Sequence, residues 1–120
     1  MTTTATKQTQ LTLQRLTQLG FLSDEFTFPE QFYALNTVDR NMLCTNIGNL
    51  FSVNHPLYPV QRALFVHLKQ AALSDTFRTF CDFVLKLDLN EWNEVATKDE
   101  GSDMYNEFRI LRVQLELVLR

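Results

Sequence analysis

The side chains of this chain that are able to make or break bonds are few and scattered. His55 stands in an Asn-His-Pro stretch and His67 in an apolar run, and neither has a second His, Cys or carboxylate at metal-ligand spacing. On a helix His67 shares its face with Leu64, Leu68 and Ala71, which reads as a hydrogen-bonded core histidine rather than a general base. Cys44 and Cys81 would attack only as thiolates, and no clustered cations flank either one to favour that form. Both read as buried free thiols of a reducing cytoplasm, too far apart in sequence to suggest a disulfide framework. Asp82, Asp88 and Glu91 have the pattern of surface acids. Gly20, Gly48 and Gly101 stand singly, so no glycine-rich loop is present to cradle a phosphate. The expectation is a chain that is not an enzyme and uses no metal or cofactor.

Charge recognition is the chemistry left. Between residues 36 and 81 the cations Arg40, Arg62, Lys69 and Arg78 are opposed only by Asp39 and Asp75. Arg62 and Lys69 are seven residues apart, two helical turns, and so share a face. Four cations on one flank predict contacts to the backbone of RNA or single-stranded DNA, each neutralising one phosphate. The next segment is opposite in sign: residues 82–107 carry eight acids against Lys86 and Lys98, a charge of −6, which leaves +3 for the rest of a chain whose net charge is −3. This divides the molecule into a mildly basic body and an acidic connector over residues 88–103. The phenylalanines recur at core spacing rather than as a base-stacking platform.

These residues must be positioned by helices. The chain has 120 residues, 45% of them apolar, with ten Phe but only three Gly and three Pro, which suits one all-α domain with short links. The centre of the expected bundle of about five helices is the run 57–73, apolar on nearly all sides except a stripe through Gln61, Arg62, Lys69 and Gln70. Pro56 and Pro59 suit its first turn. Residues 1–6 read as a frayed start. An amphipathic helix from Lys7 to Leu19 is closed by Gly20, and Pro29 opens a short helical turn through Leu35. Asn36 or Thr37 caps a helix that buries Leu43, Ile47, Leu50 and Phe51, and Gly48 within it marks a close contact. Ser74 or Asp75 caps a helix turning Phe77, Phe80, Cys81, Val84 and Leu87 inward.

The last segment has two readings. VLKLDL and VQLELVL alternate like strands and allow a hairpin across residues 84–117. As a helix capped by Ser102, the same segment carries a seam of Met104, Phe108, Leu111, Leu115 and Val118. It also carries a second apolar stripe, Ile110, Val113 and Leu117, available to another subunit. No apolar run approaches the roughly 20 residues that span a bilayer, and the polar N-terminus does not read as a signal peptide.

Leu43 to Phe51, LCTNIGNLF, resembles a helix of tobamovirus-type rod coat proteins if one gap is allowed, with Phe26 and Phe28 upstream and Val60-Gln61-Arg62 downstream at similar spacing. That resemblance implies a four-helix bundle that polymerises around RNA, although the present chain is shorter and lacks a counterpart of the later arginine-bearing segments. In size and helical pattern the chain is also similar to the small subunit of CRISPR effector complexes of the Cascade type. This implies an antiviral nucleoprotein assembly, in which copies align along guide RNA and target strand and touch backbone rather than bases. Length favours the second resemblance. Both share one expectation: a multimeric helical subunit that packs on its own copies or on other protein subunits and neutralises a nucleic-acid backbone.

Overall fold

The structure is a computed structural model that describes residues 11–50 and 57–119. The expectations for residues 1–6, Phe51 and His55 fall outside the described residues. Within them the chain is all helical: α1 (Leu13–Gln18), α2 (Thr37–Thr45), α3 (Tyr58–Ala71), α4 (Asp75–Lys86), α5 (Leu89–Ala96) and α6 (Asp103–Leu119), with 3-10 turns at Glu30–Ala34 and Ile47–Asn49. The hairpin across 84–117 does not form.

Most boundaries follow from local hydrogen bonding. Thr12, Asn36 and Ser74 cap α1, α2 and α4 by accepting from the amides of Arg15, Asp39 and Phe77. Gly20 takes φ +82°, and the amides of Gly20 and Phe21 return to the carbonyls of Thr17 and Leu16. This double closure satisfies two carbonyls that α1 leaves open, and it favours a residue without Cβ. Ser102 caps α6 through the amide of Tyr105 at 3.2 Å.

Two stretches depart from expectation. The helix through Leu43 to Phe51 stops at Thr45, because Asn46 leaves helical backbone (φ −149°, ψ 86°) and hands Ile47 to a separate 3-10 turn. There the Ile47 amide donates to the Leu11 carbonyl, so the break ties α2 to the start of α1. Leu43, Ile47 and Leu50 are buried all the same. The acidic connector over 88–103 contains a helix of its own. Asp88 accepts from the Glu91 amide at 2.8 Å while Glu91 accepts from the Asp88 amide at 2.9 Å, a reciprocal capping box that starts α5. Trp92 and Val95, one turn apart, anchor it in the core.

Packing links α3 to α4 and α4 to α6, with α5 also against α6. Aromatic contacts run through the same joints. Trp92 of α5 meets Tyr58 and Phe65 of α3 at ring separations of 5.0 and 6.5 Å, and Phe80 of α4 meets Phe65 and Phe108 at 6.1 and 5.7 Å. Each such pair contributes about 0.5–1.5 kcal/mol beyond the area it buries. The polar stripe expected on α3 is displaced. Gln61 is fully buried, whereas Val66 is 39% exposed. Burial of α3 is therefore one-sided, turned toward α4 and the Glu30–Ala34 turn. An antiparallel bridge between Leu22 and Ala72 pins the link after α1 to the end of α3.

Candidate functional site

The four cations expected to face a nucleic-acid backbone have definite places. Arg62 and Lys69 do share a face of α3, and that face lies against α4. Lys69 Nζ pairs with Asp82 at 2.5 Å, and Arg62 Nη1 donates to the Leu85 carbonyl at 2.8 Å, so both close the α3–α4 seam. Arg78 is held by Asp75 at 2.5 Å and donates from Nη2 to the Ala72 carbonyl at 3.0 Å, which covers an open carbonyl at the end of α3. Arg40, half-buried on α2, keeps its Nε away from solvent without a hydrogen-bond partner among the described residues. The structure thus brings Arg62 and Lys69 together and sets Arg40 and Arg78 on separate elements. Asp82, the first acid of the acidic segment, faces Lys69 rather than pointing away from the basic body.

The apolar stripe on α6 is the counter-example. Ile110, Val113 and Leu117 are 55%, 47% and 55% exposed, while Phe108 and Leu115 on the opposite side are 4% and 0% exposed. Val118, expected in the buried seam, is 55% exposed and turned out with the first group. A smaller patch, missed in the sequence, is formed on α2 by exposed Val38 and Met42. Their i, i+4 spacing was its available signal.

His67 donates from Nδ1 to the Thr27 carbonyl at 2.8 Å, as a hydrogen-bonded histidine should. It is not a core residue: half-buried, it borders an open groove of about 320 Å³ shared with Glu25 and Ser23. Cys81 is fully buried, and burial together with neighbouring Asp82 pushes its thiol well above the ordinary range; half-buried Cys44 is shifted the same way by burial. Neither is poised as a thiolate. Among the described residues no three His, Cys, Asp or Glu side chains converge as a metal site, and no helix is long and apolar enough to cross a membrane.

With this geometry in view, comparison with known proteins returns no matching family model, no matching curated protein and no matching solved structure. One set of cations is bound within the fold, and one apolar face is left open.

Proposed function

We propose that this chain is a non-catalytic helical assembly subunit that packs on copies of itself through the outer face of α6. The supporting observation is the exposure of Ile110, Val113 and Leu117 on the face opposite the one that completes the core. Apolar residues scattered singly on a surface call for no explanation, but a stripe at helical spacing is a docking pattern.

Magnitude sets the kind of assembly. The three side chains are already about half-buried, so covering the remainder yields on the order of 3 kcal/mol. Association costs about 4–15 kcal/mol in lost freedom. One such contact is weak and concentration-dependent, and an assembly becomes stable only when contacts repeat. The second patch at Val38 and Met42 offers a head-to-tail mode, which extends beyond a dimer where two α6 faces alone would stop.

Light scattering across a dilution series tests this. The unaltered chain should associate as concentration rises, Val113→Glu should hold it as a monomer with unchanged helical circular dichroism, and Val38→Glu should limit it to a dimer if the head-to-tail mode operates. A chain that stays monomeric throughout, or a Val113→Glu variant that associates normally, overturns the proposal. Contact between a nucleic-acid backbone and Arg40, Arg62, Lys69 and Arg78 is less well supported, because three of the four would have to give up internal bonds to reach a phosphate.

A further inference from the structure

A different set of cations gathers where none was expected. Lys98, just after α5, and Arg109 and Arg112, one turn apart on α6, border a small cleft of about 150 Å³ together with Gly48, Asn49 and Tyr105, and among the described residues no carboxylate lines it. We propose that this cleft binds the phosphate group of a monoester, or inorganic phosphate itself.

The residues are held for the task by separate features. Lys98 stands in left-handed backbone, φ +56°, immediately after α5, which turns the chain at the mouth of the cleft. Arg109 lies with its guanidinium carbon 5.9 Å from the centre of the Tyr105 ring, a contact that steadies the side chain without consuming its N–H groups. Arg112 gives only its Nε to Glu116, at 3.2 Å, and among the described residues no bond occupies its terminal nitrogens. Gly48 is packed so closely that a Cβ there would stand 2.9 Å from Leu11 Cδ1, 3.0 Å from Arg112 Nε and 3.2 Å from Arg112 Cδ. The close contact that Gly48 predicts is therefore made on two sides, with core Leu11 and with an arginine of α6 that lines the cleft.

Charge and volume define the ligand. Three cations against the single Glu116 leave a local excess of two positive charges, which suits a doubly charged phosphoryl group. The cleft, about 150 Å³, is small and suits a single phosphoryl group. A diester backbone spreads its charge along a strand and calls for a row of cations rather than one cluster. Asp99, next to Lys98 in sequence, and Glu94, one turn before it, are turned to the Gly101 amide and to Ser102.

Amide-resolved NMR titration at constant ionic strength tests the site, first with inorganic phosphate and then with two single-stranded RNA octamers that differ only in a 5′-phosphate. Phosphate should produce saturable shifts confined to residues 48–49, 98 and 105–112. Lys98→Gln with Arg109→Gln, both exposed positions that leave the core intact, should weaken binding about tenfold or more. Only the 5′-phosphorylated octamer should reproduce the pattern if the natural source is a nucleic-acid end, and neither octamer if it is a small molecule. Shifts spread over all cations, no saturation, equal response to both octamers, or an unaltered affinity in the double variant would each overturn the assignment. Assembly through α6 is read separately with Val113→Gln, which removes an apolar side chain from the stripe without setting a carboxylate one turn from Arg109, and which should bind phosphate as the unaltered chain does.

Discussion

The α3–α4 seam and the outer face of α6 are built from similar material and end in opposite states. Both are helical surfaces with apolar residues at i, i+3 and i+7 and cations beside them. In the seam every exposed end is answered: Lys69 by Asp82, Arg62 by the Leu85 carbonyl, Arg78 by Asp75 and the Ala72 carbonyl. On α6 the stripe of Ile110, Val113 and Leu117 is about half exposed, and none of the described residues covers it. Positive charge therefore says little about partners until its internal bonds are known, whereas an uncovered stripe on a helix that already has a buried side marks a surface with a further use.

The comparison can be broken first at its strongest point. Trp92 is fully buried and meets α3 through both Tyr58 and Phe65. Trp92→Ala should cost about 3–5 kcal/mol, measured by urea denaturation, with loss of the α3–α5 joint. A cost near zero would mean that the α3 side of the bundle is not packed as described. Next comes the start of α5. Asp88→Ala removes half of the capping box and should cost about 1 kcal/mol, with faster amide exchange confined to residues 89–96. If residues 88–103 behaved as a loose connector, that variant would change nothing.

A smaller effect is expected at the seam itself. Lys69 and Asp82 side chains are 42% and 39% exposed, so Asp82→Asn should cost less than about 1 kcal/mol, and the loss should shrink further in high salt. Its value lies elsewhere. If releasing Lys69 from Asp82 created salt-sensitive RNA binding, the seam would be masking a nucleic-acid face rather than replacing one. The least effect on stability belongs to α6, where Val113→Glu should alter the monomer's unfolding free energy by no more than about 0.5 kcal/mol while removing association.

Much of the fold was legible because its signals are local. Asn36, Ser74 and Ser102 are capping residues that need only the next turn of chain to act, and Gly20 is required by its own backbone angle. The stripe Phe77, Phe80, Cys81, Val84 on α4 was equally plain, since its inward face needs no knowledge of the partner. What failed depended on distant partners. Whether Gln61 or Val66 turns inward on α3 is decided by where α4 lies. The break at Asn46 is held by a bond to Leu11, thirty-five residues earlier. The helix α5 was hidden because LNEWNEVA is rich in acids and has only Trp92 and Val95 to bury.

The candidate surfaces divide the same way. The stripe on α6 could be read because it is a periodicity within one helix. The fate of Arg62 and Lys69 could not, because sequence places them on one face without saying that α4 covers it. The Lys98, Arg109 and Arg112 cleft joins two helices and a glycine 50 residues away, and only Gly48 hinted at a close approach.

Sedimentation velocity at rising protein concentration, with and without a short single-stranded RNA lacking a terminal phosphate, bears most directly on the account. Association should appear without RNA and vanish in Val113→Glu, and adding RNA at low salt should leave the profile unchanged. A chain that sediments as a monomer until RNA is added, and assembles on it in a salt-sensitive way, would contradict the account and return Arg40, Arg62, Lys69 and Arg78 to the centre of it.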